Sequence, residues 1–181
     1  MQNEGRRIIL LGGLGRPDFQ QFGSSQFVKV ITQTMWGIPP RLDMAYEKNV
    51  QTAIRELVRA GLVESSHDLG DGGLAVALAE CCFGPAEMGA QVDLDSDLDP
   101  TLLLFHEGPS RVLVSTSQPE AVLAMARKNS VEAVDIGVTL KSRVLVRNRT
   151  ETYLASSIEE LKSVWSSGLT HLLHLPTTVV A

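Results

Sequence analysis

Residues 66–80 read SHDLGDGGLAVALAE, a turn rich in glycine and aspartate that leads into a run of small apolar residues. Three glycines within four positions let the backbone turn sharply and approach a ligand closely. Residues 73–82 then predict a helix, which the Gly-Pro pair at 84–85 ends. Because a helix N-terminus presents free N–H groups, this stretch suggests both a local fold and a place for an anion.

The composition of the 181-residue chain favours helices packed on a sheet. Hydrophobic residues make up 44% and aromatic residues only 5%, so the core is built mainly from Val, Leu, Ile and Ala. The net charge of -5 argues against a nucleic-acid partner, since phosphate backbones select basic surfaces. No apolar run reaches membrane-spanning length, which argues against a membrane partner.

The two cysteines, Cys81 and Cys82, are adjacent in the sequence. Neighbours on a helix do not easily form a disulfide with each other, so a disulfide framework is not expected. We therefore expect a cytoplasmic location. On the small-residue helix, a buried thiol is expected at these positions rather than a nucleophile.

Hydrophobic periodicity along the rest of the chain predicts strands and helices in mixed order. Strands are predicted over residues 6–11, 62–66, 89–94, 111–115, 134–138 and 143–146. Helices are predicted over residues 24–35, 43–60, 73–82, 119–128 and 157–165, with a loop over 12–23 and a short helical turn at 102–105. Gly61 is a C-cap, Pro119 lies in a first turn, and Ser157 with Glu160 forms a capping box.

This order predicts an α+β domain in which a mixed β-sheet is layered with helices, rather than a strictly alternating α/β chain. The domain is expected to cover residues 1–167. Residues 168–181 show no clear period and are expected to form a loosely ordered tail.

The glycine turn carries the first candidate ligand-binding residues, His67, Asp68, Asp71, Gly72 and Gly73. The following helix could hold a phosphate, or a phosphate-bound Mg²⁺ through the two aspartates, while His67 hydrogen-bonds a phosphate or a ribose hydroxyl. The structural alternative is that Asp71 caps the helix and the glycines only make the turn.

Residues 104–111, LFHEGPSR, carry the second set of candidates, Glu107, Ser110 and Arg111. Glu107 and Arg111 could face a polar ligand across a tight turn at 108–110. The alternative is a Glu–Arg pair on the surface at the entry of a strand, which adds little stability.

Other patterns are weaker. The acidic run at 93–99 lacks the glycine and final glutamate of a calcium loop, so a solvated turn is expected. Residues 12–15, GGLG, are a fragment of a dinucleotide fingerprint without its full spacing. No catalytic triad, zinc spacing or Walker lysine is present, so no catalytic or metal-binding residue is assigned.

Taken together and in order, four segments resemble the phosphoribosylformylglycinamidine synthase family of the small PurL type. SHDLGDGGLAVALAE is similar to that family's HD-x-SDGGLAVALAE, and LFHEGPSRVLVS to its LFGE-S-x-RVLVS. NEGRRIILLGG and PPRLDMAYEKNVQ resemble the strand and the helix entry of the same domain. The chain departs from the family at Leu69, Gly70, His106, Gly108 and Pro109.

This resemblance implies the fold of the C-terminal domain of aminoimidazole ribonucleotide synthetase, and specifically the second of two such domains in the full-length ligase. It implies ATP-dependent amidation of formylglycinamide ribonucleotide with glutamine-derived ammonia, with ATP and Mg²⁺ as cofactors of the full-length family. The catalytic and metal-binding residues then lie in N-terminal half-domains, and a glutaminase and a small accessory subunit are the implied partners.

Three functions are therefore weighed for the chain. The first is a domain of the purine-biosynthesis ligase that is inactive as an isolated fragment. The second is a non-catalytic docking or structural module, and the third is an auxiliary domain that binds a nucleotide or phosphate through the glycine turn.

Overall fold

The computed structural model describes residues 1–174, with side-chain surroundings for residues 1–168. Its centre is a seven-stranded sheet in the order β2-β4-β1-β5-β3-β6-β7. The strands are β1 (Arg7–Leu11), β2 (Ser65–Asp68), β3 (Met88–Leu94), β4 (Val112–Thr116), β5 (Ala133–Lys141), β6 (Arg143–Asn148) and β7 (Glu151–Ser157).

The sheet is mixed. Strands β3 and β6 pair in parallel, while the other neighbouring strands pair antiparallel. The predicted α+β fold with a mixed, helix-covered sheet is thus confirmed. The strand predicted at 62–66 is displaced, since pairing with β4 begins only at Ser65.

The helices are α1 (Phe19–Phe22), α2 (Met44–Arg59), α3 (Gly73–Cys82), α4 (Pro100–Phe105), α5 (Pro119–Lys128) and α6 (Ile158–His174). Among the described residues, no helix is both long enough and apolar enough to cross a membrane.

Strand β1 separates two apolar layers because its side chains alternate between the faces of the sheet. Ile8 and Leu10 pack with α3, α4 and the start of α6, whereas Ile9 and Leu11 pack with α2 and α5. All four of these side chains are fully buried. The sheet therefore has helices on both faces, and its β2-β4-β1 end lies between α2 and α3.

Several predicted helix ends are confirmed. The Ser157 hydroxyl accepts from the Glu160 amide at 3.1 Å, and the Glu160 carboxylate accepts from the Ser157 amide at 3.0 Å, as a capping box requires. Gly61 follows α2 with φ +65°, and Pro119 starts α5. The turn predicted at 102–105 is the end of α4, which the Asp99 carboxylate caps.

Other predicted elements are wrong. The helix expected over 24–35 is shortened to residues 26–32, of which Val28–Thr32 are π-helical, and the expected loop over 12–23 contains α1. Strand β7 was not predicted. Helix α6 continues past the expected end at 165 to His174, while the rest of the tail predicted at 168–181, residues 175–181, lies outside the described residues.

Candidate functional site

The two predicted motifs lie side by side at one end of the sheet. Strand β2 pairs with β4 so that Asp68 faces Val112, and the Leu69 amide donates to the Arg111 carbonyl at 3.0 Å. The glycine turn leaves the end of β2 just where the 106–111 loop enters β4. Backbone pairing thus brings together residues that are more than forty positions apart in the sequence.

Glu107 connects the two motifs through its side chain. Its carboxylate Oε1 accepts from the Gly72 amide at 2.8 Å and from the Gln26 amide at 2.8 Å. A carboxylate of the chain itself therefore accepts a hydrogen bond at the start of α3. The N-cap of α3 is Gly72, which has no side-chain cap, so the alternative in which Asp71 caps the helix is wrong.

Gly72 and Gly73 are required by their surroundings as well as by the turn. Both have positive φ, +79° and +62°. A Cβ at Gly73 would lie 2.6 Å from the His106 carbonyl oxygen, and one at Gly72 would lie 2.3 Å from a Val76 methyl. The start of α3 therefore packs directly on the backbone of residues 104–106.

Arg111 is a buried cation without a carboxylate partner among the described residues. Its side chain belongs to a residue only 3% exposed, and no salt bridge joins it to an acidic group there. Its Nε donates to the Gly13 carbonyl at 3.2 Å, while its Nη2 has no hydrogen-bond partner. Burial lowers the pKa of the guanidinium to about 10. The alternative of a Glu107–Arg111 surface pair is therefore wrong.

His106 is buried next to Arg111. Its Nε2 lies 2.9 Å from the Leu14 carbonyl oxygen, so that nitrogen carries the proton, and Nδ1 is left to accept from the Gly108 amide at 3.4 Å. Burial, and then the charge of Arg111, lower the pKa of His106 to about 4. The imidazole is therefore neutral near pH 7.

Ser110 holds the loop against α2. Its hydroxyl donates to the Glu47 carboxylate at 2.6 Å, and its φ is +63°. The other Glu47 oxygen accepts from the Gln51 amide group at 2.7 Å. Both oxygens of Glu47 are thereby engaged.

Two cavities meet at Arg111. The larger, of about 650 Å³, lies between α2 and the paired ends of β2 and β4. The smaller, of about 180 Å³, lies between the glycine-rich loop at 12–16 and the 106–111 loop. Residues common to both are Pro109, Ser110 and Arg111.

The eight predicted ligand-binding residues fall into three groups. Asp68, Ser110 and Arg111 line the larger cavity. Gly72, Gly73 and Glu107 build the junction of the two motifs, as described above. His67 and Asp71 line neither of these cavities: His67 Nε2 lies 3.6 Å from the Glu80 carboxylate, and Asp71 is exposed.

Sequence reasoning missed several residues of the smaller cavity. Gly12 and Gly15 belong to the GGLG fragment, whose incomplete spacing gave only a weak signal. The others come from two separate segments and have no shared motif. They are Arg16, Gln21, Arg41, Asp43 and Tyr46.

The described residues include no cluster of three or more His, Cys, Asp or Glu side chains that could hold a metal ion. A Mg²⁺ held by Asp68 and Asp71 therefore has no third protein ligand of these types in this part of the chain.

Both cysteine thiols are free, and burial raises the pKa of Cys81 to about 11 and that of Cys82 to about 12, as expected for thiols that are not nucleophiles.

The family described as AIR synthase related protein, C-terminal domain, matches residues 3–147. The chain is 38% identical over 175 residues to phosphoribosylformylglycinamidine synthase subunit PurL of Moorella thermoacetica, a match that covers 95% of this chain and 23% of that protein.

Solved structures of PurL from T. maritima have the same fold. The complex with FGAR shows 27% identity and a TM-score of 0.74, covering 88% of this chain and 28% of that one. The complex with ATP shows 25% identity and a TM-score of 0.69, covering 89% and 26%. The chain thus spans about a quarter of the length of the relatives that it matches.

Proposed function

The chain belongs to the family described as AIR synthase related protein, C-terminal domain, and from this membership we propose that it is a domain of an ATP-dependent amidoligase of purine biosynthesis. The reaction is the conversion of formylglycinamide ribonucleotide to formylglycinamidine ribonucleotide with glutamine-derived ammonia. The observation that carries the proposal is the 38% identity to PurL over 95% of the chain. The convergence of both motifs on one cavity supports it.

The larger cavity is the part of this domain that we assign to the small-molecule substrate. Its volume of about 650 Å³ lies in the range of small-molecule sites, about 300–1,000 Å³. On the α2 side the lining mixes apolar residues with polar ones, Glu47, Gln51 and Arg55. Asp68, Ser110 and Arg111 supply polar groups on the other side. Such a lining orients a ligand through a few polar contacts.

We assign binding and positioning, rather than reaction, to the side chains of this domain. His106 is neutral, with its Nε2 proton held by a carbonyl oxygen, and the thiols have raised pKa values. In the family reaction ATP activates the amide oxygen by phosphoryl transfer, a step in which protein groups mainly position the reactants and stabilise charge. We assign the nucleotide, Mg²⁺ and the catalytic groups to the N-terminal half-domains.

An exposed apolar segment at 30–44 supports assembly with those half-domains. Large apolar side chains exposed on one surface segment are typical of protein–protein contact sites. The relative from M. thermoacetica is itself a subunit, which supports assembly with further subunits. We propose that a glutaminase and a small accessory subunit are these partners and that the assembly is cytoplasmic. The exposed side chains are Val30, Ile31, Met35, Ile38, Leu42 and Met44.

The same segment favours the second candidate function, a docking or structural module without a ligand. The two functions predict different effects on the KM of a complete ligase when the polar groups of the larger cavity are substituted. For a docking module, Asp68→Asn leaves the KM for the ribonucleotide unchanged; for a substrate-binding domain, it raises that KM. Glu151→Gln, at an exposed position on β7, is the matched control.

The proposal also predicts that the isolated chain does not amidate formylglycinamide ribonucleotide in the presence of ATP, Mg²⁺ and ammonium. Product formation is measured by the amount of ADP released and by chromatography of the reaction mixture. Turnover by the chain alone would show that the catalytic groups lie within these 181 residues, against the assignment above.

A further inference from the structure

We propose that this chain binds a small oxyanion of the phosphate class in the smaller cavity, between the loop at 12–16 and the Arg111 guanidinium. This inference goes beyond the ligase function and does not rest on it, because the chain's own residues supply the site.

The first support is the unmatched charge of Arg111. Transfer of a cation into a protein interior is costly unless an anion and hydrogen bonds compensate it. Arg111 is 3% exposed, its Nη2 has no partner, and its other contacts within the described residues are neutral: the Gly13 carbonyl and His106. Nη2 is itself closed to solvent, so an anion in the smaller cavity, which Arg111 lines, would compensate the charge of the guanidinium as a whole.

The second support is the charge of the cavity lining. Arg16 and Arg41, both exposed, join Arg111 around the smaller cavity. The acidic residue of this lining is Asp43, and its Oδ1 already accepts from the Ala45 and Tyr46 amides at the start of α2. Among the lining residues, three guanidinium groups outnumber one engaged carboxylate, which favours an anion.

The third support is the backbone of the glycine-rich loop. Gly12, Gly13 and Gly15 have positive φ values of +86°, +69° and +78°. Successive amides in such conformations form concave donors for anions. The amides of Gly15 and Arg16 donate no hydrogen bond to another described residue, and both residues line the smaller cavity.

The volume of the smaller cavity limits the size of the ligand that it can hold. Liquid water occupies about 30 Å³ per molecule, so about 180 Å³ is the room of roughly six waters. That accommodates a phosphate group with a small substituent and is less than the usual site of a drug-sized molecule. Inorganic phosphate and the phosphoryl group of a small phosphate monoester share this chemistry.

The test is calorimetric titration of the full chain with inorganic phosphate, with ribose 5-phosphate and with ribose, at constant ionic strength. We expect heat from both phosphates and none from ribose. Tighter binding of the monoester identifies a phosphorylated metabolite as the ligand, whereas equal binding identifies free phosphate. No heat from either phosphate would overturn the proposal.

Variants locate the binding. Each lost charge-assisted hydrogen bond weakens binding about tenfold or more, so R16Q and R41Q each reduce affinity by about that factor and R111M abolishes binding. R127Q, at an exposed site on α5 that lines neither cavity, is the matched control and leaves affinity unchanged. If R111M does not fold, the R16Q/R41Q double variant still tests whether phosphate binds in the smaller cavity. Equal weakening by R127Q, or none by R16Q and R41Q, would contradict the proposed site.

Discussion

His106 links the stability of the fold to pH through a single buried imidazole. Burial beside Arg111 lowers its pKa in the folded state from 6.5 to about 4. Between these values the unfolded chain binds the proton more tightly, so stability is full above about pH 6.5 and falls as the pH falls toward 4. The carboxylates Glu56, Glu64, Asp93 and Asp97 have pKa values lowered by their partners, so the stability that they contribute is lost mainly below about pH 5.

We therefore expect the free energy of unfolding in urea to fall by about 2 kcal/mol between about pH 7.5 and about pH 5. His106→Gln removes most of this decrease. His67→Gln, at a half-exposed position, retains it and is the matched control. A decrease of the same size in both variants would place its origin outside His106.

Glu107 gives a second prediction, since its carboxylate joins three segments of the chain through the Gly72 and Gln26 amides. Glu107→Ala leaves both backbone donors unpaired and should reduce the free energy of unfolding by about 1–3 kcal/mol. Glu151→Ala, on the exposed edge strand, should change it by about 0.5 kcal/mol or less. Urea unfolding followed by circular dichroism measures both, and equal losses would contradict this role for Glu107.

The site could be predicted only in part, because its residues come from several distant segments. The sequence indicated Ser110 and Arg111, which follow a recognisable motif, and both line the cavities. It gave no sign of Arg16 and Arg41, which tertiary packing alone brings to Arg111. The ligand-binding roles predicted for all eight residues remain predictions.

At the level of elements, helix α3 depends on a glycine at its first position. Gly73→Ala combines a positive φ with a Cβ placed 2.6 Å from the His106 carbonyl oxygen, so we expect a loss of about 2 kcal/mol or more in unfolding free energy. Gly84→Ala is the matched control, because it has ordinary φ and open space around its Cβ position. Thermal and urea unfolding compare the two, and similar losses would contradict the packing described for α3.

Elements with local signals were predictable, and elements fixed by tertiary pairing were not. Helix α6 starts at a capping box, Ser157 with Glu160, that is recognisable in the sequence. Strand β7 has two exposed residues at its start and follows a turn at Arg149, a non-glycine residue with φ +54°, so neither alternation nor turn chemistry indicated it. Its pairing with β6 defines it.

The segment after α1 shows the same limit. Mixed apolar spacing over residues 24–35 predicted a helix, because apolar residues usually mark a buried face. In the fold these side chains do not share a buried face: Val28 is buried, whereas Val30 and Ile31 are each 64% exposed. The apolar pattern there is explained by a surface rather than by the core.

At the scale of the whole molecule, this exposed segment should make the isolated chain bind apolar probes and self-associate. Val30→Lys combined with Ile31→Lys should lower dye fluorescence and sedimentation of associated species without lowering the unfolding midpoint. Val58→Lys, at an exposed site on α2, is the control and should have little effect. An equal effect of Val58→Lys would show that dye binding and self-association do not depend on the 30–44 segment in particular.

As a domain of a larger amidoligase, the proposed function, this chain should work in place of the matching domain of a relative. The most direct measurement is ATP-dependent amidation of formylglycinamide ribonucleotide by M. thermoacetica PurL in which this chain replaces the matching segment. We predict turnover within about tenfold of the parent enzyme, equivalent to about 1.4 kcal/mol in the barrier. A chimera that unfolds cooperatively and binds ATP like the parent, yet forms no product, would contradict the claim.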